Sequence, residues 1–127
     1  KLVSIKTVNH EDTEFVADNF VLASGSFFSK GIVASQTGVA EPIFGFDIDA
    51  DADRGNWFER NMFEAQPYMK FGVASDKKFR AKKDGQTVEN VYVAGSVLSG
   101  FNAIKEGCGA GVSILTALNV AESIVEN

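Results

Sequence analysis

Apolar and polar residues alternate at the start of the chain, with Leu2, Ser4 and Lys6 on one parity and Val3, Ile5 and Thr7 on the other. A period of two predicts a strand over residues 2–8. The polar run Asn9-His10-Glu11-Asp12 predicts a turn, and residues 14–16 the return strand of a hairpin. Phe20-Val21-Leu22-Ala23 is a continuous apolar run stopped by Ser24-Gly25-Ser26, the pattern of a short strand buried on both faces. Residues 71–75 and 78–80 flank Asp76-Lys77 as the arms of a second tight hairpin. A polar loop over 81–86 follows, then a buried strand over 91–94. From Gly109 to about Val125 the period becomes helical, with Ala110, Ile114, Ala117, Leu118, Ala121 and Ile124 on one stripe. Val112, Leu115, Val120 and Val125 widen that stripe, so most of the helix is expected to be buried.

The middle of the chain has no clean period. Phe27, Phe28, Phe44, Phe46, Trp57, Phe58, Phe63 and Tyr68 fall there, punctuated by Gly31, Gly38, Gly45 and Gly55. Residues 27–70 are therefore read as an irregular, cap-like segment pinned by buried rings. The sharper alternative is a lid or partner surface, because rings on irregular backbone can line a site. The expected fold class is α+β: antiparallel strands and hairpins with a long C-terminal helix, forming a single domain over residues 1–127.

Composition narrows the class. Hydrophobic residues make up 45% and charged residues 23%, which fits a folded globular chain and not a disordered one. A net charge of −5 argues against nucleic acid as the main partner. No apolar run has the length of a membrane span. The single cysteine, Cys108, excludes an internal disulfide and a Cys cluster for zinc or iron–sulfur, and a reducing, cytoplasmic setting fits that. Lys1 opens directly on strand-like sequence, so the chain is expected to be the C-terminal part of a longer protein.

The chemistry concentrates late. Val91-Tyr92-Val93-Ala94 runs into Gly95-Ser96, and after a loop the segment Gly107-Cys108-Gly109-Ala110-Gly111-Val112 opens the long helix. Small residues there let backbone amides approach a planar or anionic ligand, and the helix dipole adds partial positive charge. The alternative is a glycine bend packed tightly against a neighbouring strand, and the residues alone leave both readings open. A dinucleotide fingerprint is excluded. Ala110-Gly111-Val112 follows Gly107-Cys108-Gly109 without the third glycine in place, and the loop after Ala94 is too long for a tight strand–turn–helix.

Other residues invite chemistry less strongly. Cys108 at the helix start would have a stabilised thiolate, but a small buried apolar role is favoured. Asp47, Asp49, Asp51 and Asp53 suggest a calcium loop. From Asp49, however, Arg54 and Arg60 stand where glycine and glutamate belong, and from Asp47 the same positions hold Ala52 and Phe58. His10 is expected at the surface of a polar turn. Arg54, Arg60 and Lys105 suit a phosphate, Lys105 best because it lies in the Gly-rich loop, although surface charge is the commoner role.

Two stretches together carry a family resemblance. Phe20-Val21-Leu22-Ala23-Ser24-Gly25-Ser26 resembles a strand–turn of the two-dinucleotide-binding flavoproteins, and residues 87–96, ending in Gly95-Ser96, resemble their second flavin-binding strand. With Glu41-Pro42-Ile43, Gln66-Pro67, Phe71-Gly72-Val73 and Glu106-Gly107-Cys108-Gly109, the chain from about Phe20 onward resembles the C-terminal part of the B subunits of anaerobic glycerol-3-phosphate dehydrogenases. That implies part of an FAD/NAD(P)-binding-like fold and a respiratory flavoprotein. The complex would oxidise sn-glycerol 3-phosphate to dihydroxyacetone phosphate and pass electrons to quinone, and so to fumarate or nitrate.

The same resemblance implies FMN as the flavin, with FAD the alternative. It implies two partners, a catalytic flavoprotein (the A subunit) and a membrane-anchoring iron–sulfur protein (the C subunit). It also implies a peripheral place on the cytoplasmic side of the inner membrane. Gly95 and Ser96 would face the ribityl chain, the amides of Gly109, Ala110, Gly111 and Val112 the pyrimidine edge, and Ser24 and Gly25 would close the site. Lys105 and Arg54 remain the substrate-phosphate candidates. Ser96 stands where many such proteins have an acid; a hydroxyl still bonds a ribityl hydroxyl but brings no charge. No catalytic base stands out, which leaves open a docking or electron-relay protein that assembles with a catalytic partner. The isolated piece is expected to bind flavin poorly and to expose an apolar surface prone to self-association.

Overall fold

The computed structural model describes residues 1–126. Strand β1 (Ser4–Thr7) pairs antiparallel with β2 (His10–Val16). The turn is tighter than the sequence predicts: Thr7 pairs with His10, so His10 opens the return strand instead of lying in the turn. Its ring meets Phe15 edge-on at 6.0 Å, and Nδ1 lies 3.2 Å from Thr7 Oγ1. All of β2 is exposed, and a two-stranded hairpin is marginal alone. Its base is tied down by Asn90. There Oδ1 accepts from Leu2 N at 2.8 Å, and Nδ2 donates to Leu2 O at 2.7 Å and Asp18 O at 2.9 Å.

Strand β3 (Phe20–Leu22) leads through a 3-10 turn at Phe27–Ser29 to two short antiparallel pieces, β4 (Val33–Ala34) and β5 (Val39–Ala40). Strand β6 (Ile48–Asp49) pairs antiparallel with β7 (Gly72–Val73), with 3-10 turns at Arg54–Asn56 and Pro67–Lys70 between them. Trp57 packs edge-on against Phe71 at 5.6 Å, and Phe27 meets Tyr68 at 6.0 Å. Phe28, Phe58 and Phe63 stay exposed, so rings pin only part of the middle segment.

Strands β8 (Arg80–Lys83) and β9 (Gln86–Val93) form an antiparallel hairpin where the sequence reading puts a polar loop. The turn is Asp84-Gly85, both with positive φ (52° and 75°), the backbone that favours Asp-Gly between two strands. Asp47 holds it, accepting from Asp84 N at 2.9 Å and Gly85 N at 2.8 Å. The loop before β8 closes on Asp76, which accepts from Lys78 N and Arg80 N at 2.9 Å and pairs with the Arg80 guanidinium at 2.7 Å. Burial pushes the Asp76 carboxyl up. The hydrogen bonds from Arg80 and Lys78 and the Arg80 charge outweigh burial and hold it below its ordinary value.

The α+β class stands: antiparallel pairs dominate, and helix α1 (Ala103–Glu106) is followed by the long C-terminal helix α2 (Gly109–Val125). One parallel pair joins them. β3 runs parallel to β9 in the register Phe20↔Val91, Val21↔Tyr92, Leu22↔Val93, giving the order β3-β9-β8. Both faces of β9 are covered, as its apolar run predicts. Val91 and Val93 enter the main core with Leu22, Ile32, Phe46, Val73 and Val97, while Tyr92 and Ala94 pack on Val120 of α2.

The helix departs from its predicted burial. Only Thr116 and Val120 are buried, whereas Ile114 (62%), Leu115 (61%) and Leu118 (56%) are exposed. The apolar residues extend over more than the one face that the sheet covers.

Candidate functional site at the carboxyl ends of the parallel strands

Parallel strands deliver their carboxyl ends to one edge of a sheet, and crevices at that edge are where open α/β sheets bind ligands. Here β3 and β9 end side by side, joined by Ala94 N donating to Leu22 O at 3.0 Å. The chain therefore leaves β3 as Ser24-Gly25 next to where it leaves β9 as Gly95-Ser96. A Cβ built on Gly25 would lie 3.7 Å from Ser96 Oγ. Both glycines have positive φ, 83° and 78°, which suits glycine. Gly31 sets the first turn: a Cβ there would fall 1.9 Å from Gly25 O, so only glycine lets the following turn close against it. Ser24 Oγ is buried and has no hydrogen-bond partner.

Helix α2 passes the end of β9 in its second turn. Gly95 N donates to Thr116 Oγ1 at 2.9 Å, and a Cβ on Gly95 would lie 3.7 Å from Ser113 Oγ. Gly95 is thus brought beside Ser113 and Thr116 of α2, which begins at Gly109, and Ser96 lies between Gly95 and the Gly25 turn. Cys108 precedes the helix without a side-chain cap, so the amides of Gly109, Ala110 and Gly111 have no acceptor within it. Val112 differs from its expected role: its amide donates to Cys108 O at 2.8 Å and is not free.

The glycines of this segment separate into two kinds. Gly107 ends α1 in the left-handed region, at φ 62°, the usual work of glycine at a helix end. Gly109 and Gly111 have no positive φ. A Cβ on Gly111 would meet nothing within 4 Å, and one on Gly109 only Ala103 Cβ at 3.5 Å. A bend packed tightly against a strand therefore does not account for them. Glycine inside a helix costs about 1 kcal/mol relative to alanine. The first turn of α2 thus leaves three amides without an acceptor in the helix and open space over Gly111.

The phosphate candidates are not brought together by any contact between them. Lys105 is exposed on α1, which Asn102 caps by accepting from Lys105 N at 3.0 Å. It borders an open cleft of about 680 Å³ shared with Glu59, Met62, Phe63, Gln66 and Asn102. Arg54 is engaged elsewhere: its guanidinium lies 4.9 Å over the Trp57 ring and donates to Ser35 O. The acidic run is taken up in loop bracing. Asp47 holds the β8–β9 turn, and Asp49 accepts from Ser99 Oγ at 2.6 Å. Asp51 accepts from Asp53 N and Asn56 Nδ2, and Asp53 from Gly55 N. Cys108 is half-buried, its Sγ 3.8 Å from Glu106 Oε2.

Thr116 and Gly31 are the residues that sequence reasoning missed. A threonine one helical turn from both Val112 and Val120, in an otherwise apolar row, was the available signal for the first. Nothing local distinguishes Gly31 from the other glycines of the middle segment.

The chain belongs to the family of FAD binding domains, matched over residues 1–112. Its relatives are more particular. It is 46% identical to a protein of Yersinia enterocolitica and 44% to one of Pectobacterium atrosepticum, each over 98% of this chain and 30% of the relative. It is 39% identical to one of Vibrio cholerae over 98% of this chain and 29% of the relative. All three are named as the B subunit of anaerobic glycerol-3-phosphate dehydrogenase. The chain spans about 30% of the length of these relatives. No solved structure matches it. No helix among the described residues is long and apolar enough to cross a membrane.

Proposed function

We propose that this chain forms one wall of the flavin site in a respiratory dehydrogenase complex that oxidises sn-glycerol 3-phosphate to dihydroxyacetone phosphate and passes the electrons to quinone. The observation that carries this is the pair Gly109 and Gly111, which leave free amides and open space at the start of α2 without any conformational need for glycine. The ribityl chain lies along Gly95-Ser96, and the amides of Gly109, Ala110 and Gly111 bind the electron-rich edge of the ring system. Ser24 and Gly25 close the site from β3. A bound flavin supplies reversible two-electron redox chemistry. The protein's share is to orient it and to place partial positive charge where the reduced ring is anionic.

The family's description favours FAD as the first form to test, with FMN second. Lys105, at the rim of the cleft beside α1, is the better substrate-phosphate candidate; Arg54 is committed to Trp57 and Ser35. The relatives are named as one component of a complex. That supports assembly with a catalytic flavoprotein and an iron–sulfur protein, the A and C subunits, at the cytoplasmic face of the inner membrane. Residues 27–70 serve as the cap of this single domain.

The test is the absorbance spectrum and flavin content of the full-length protein, with Gly111→Leu beside it. The expected result is bound flavin in the parent and its loss in a folded variant. A parent without flavin, or a variant that keeps all of it, refutes the proposal. A docking or electron-relay role is the second reading, favoured by the exposure of Met62 and Phe63 (92%) on the cleft. The docking role requires any loss of activity in the Gly111→Leu complex to come with loss of assembly; loss of activity with assembly intact rules that role out.

A further inference from the structure

We infer that Thr116 is a positioning residue for this site, acting through its hydroxyl to hold the Gly95-Ser96 turn in register with the first turn of α2. The inference rests on the flavin reading above. Thr116 is only 8% exposed, and its single hydroxyl makes two short hydrogen bonds beside a longer contact of 3.5 Å to Ser113 O. Oγ1 donates to Val112 O at 2.6 Å and accepts from Gly95 N at 2.9 Å. Threonine in a helix commonly bonds the carbonyl four residues back. The unusual part is the second bond, which crosses 21 residues to the end of β9.

The hydroxyl thus links the last residue before Ser96 to the carbonyl of Val112, whose own amide closes the turn begun at Cys108. Gly95 N follows Ala94 N, the last donor to β3, and has no sheet partner. Without Thr116 it would be left unsatisfied in a part-buried position, and the turn would be free to shift against the helix. Since Ser96 and the amides of Gly109, Ala110 and Gly111 act on one ligand, a shift between them weakens every contact together.

Two near-isosteric variants of the full-length protein separate the hydroxyl from the methyl. Thr116→Val keeps the shape and loses both hydrogen bonds, whereas Thr116→Ser keeps both bonds and loses a methyl group. Flavin dissociation constants and the midpoint potential of the bound flavin are measured beside melting temperature. The expected result is flavin binding weakened about fivefold to tenfold in Thr116→Val, the worth of the lost bond to Gly95 N, with a shifted potential. Thr116→Ser stays within twofold of the parent at an unchanged potential.

The reverse order, with Val neutral and Ser impaired, shows that the methyl packs and the hydroxyl does nothing, and overturns the inference. Equal binding in all three also overturns it while leaving the flavin reading intact; that reading fails instead if the parent holds no flavin. Should Thr116→Val not fold, Thr116→Ala and Thr116→Ser are compared. Equal loss of flavin in both refutes the hydroxyl role, and loss confined to Ala supports it.

Discussion

Asn90 offers a sharp test of how the N-terminal hairpin is held. The side chain is 4% exposed and makes three hydrogen bonds to backbone groups of Leu2 and Asp18, 88 and 72 residues away in sequence. It works as a substitute strand, presenting one acceptor and two donor bonds to backbone that has no sheet partner there. Each such bond contributes about 1 kcal/mol net, and stranded partners cost about as much again where water is excluded. Asn90→Ala should therefore destabilise the protein by about 2–4 kcal/mol, less whatever water returns to Leu2. For a domain of this size that lowers the melting temperature by roughly 10 °C. Asn90→Asp should be worse than alanine at neutral pH, because it sets a charged oxygen against the carbonyls of Leu2 and Asp18. Thermal unfolding by circular dichroism gives the ranking, and hydrogen exchange over β1 and β2 should speed up in both variants. A cost for Asn90→Ala below about 0.5 kcal/mol, within the range of ordinary surface changes, would refute the clamp. So would an Asp variant as stable as the parent.

Other perturbations separate scaffold from site. Gly31→Ala and Gly72→Ala should each cost about 3 kcal/mol or more by urea denaturation, since the new Cβ would lie 1.9 Å from Gly25 O or 2.4 Å from the Leu98 carbonyl carbon; near-parent stability in either would contradict the packing. Gly111→Ala should instead stabilise the chain by about 0.5–1 kcal/mol in the same assay; a loss would mean that Gly111 is a scaffold glycine. Glu41 is 2% exposed, and its carboxylate accepts from Ile43 N, Phe44 N and Phe46 N; Glu41→Ala should cost about 3 kcal/mol and Glu41→Gln less, because one amide oxygen still accepts. Asp76 has a depressed pKa when folded, so its contribution is present above the unfolded value and lost as pH falls through the folded one. Acid titration should show Asp76→Asn losing less stability than the parent below about pH 4, and parallel acid limbs would refute that.

What was legible in the sequence follows from how local each signal is. The α2 limits and the strand ends at Ser24-Gly25 and Gly95-Ser96 could be read because an apolar run meeting small residues is a local pattern. The Asp84-Gly85 turn was equally local, yet the charges of Lys82, Lys83 and Asp84 hid a strand whose inward residue is Ala81. The parallel register of β3 and β9 was not legible in the residues, since it joins segments about 70 residues apart; only the family resemblance put the two strand ends at one site. The burial of α2 misled for a different reason. Its apolar residues extend round more of the helix than one sheet can cover, and the sheet takes only the Thr116–Val120 side.

That last discrepancy bears on the site itself. Ile114, Leu115 and Leu118 are exposed on the same helix whose first turn carries the free amides of Gly109, Ala110 and Gly111. A helix held on one side only is a poor support for a ligand, because an anchoring helix must not move against its partners. The described contacts that fix its first turns against the sheet include the Gly95–Thr116 hydrogen bond and, lower down, Val120 against Tyr92 and Ala94. Among the described residues α2 is thus held mainly on its Thr116–Val120 side. The relatives are about three times longer than this chain. On this argument the 127-residue chain should bind flavin far more weakly than the full-length protein and should self-associate through α2. Ile114→Lys with Leu118→Lys should return it to a monomer in analytical ultracentrifugation without restoring flavin binding. Stoichiometric, tight flavin binding by the short chain would show that the bracing is not needed.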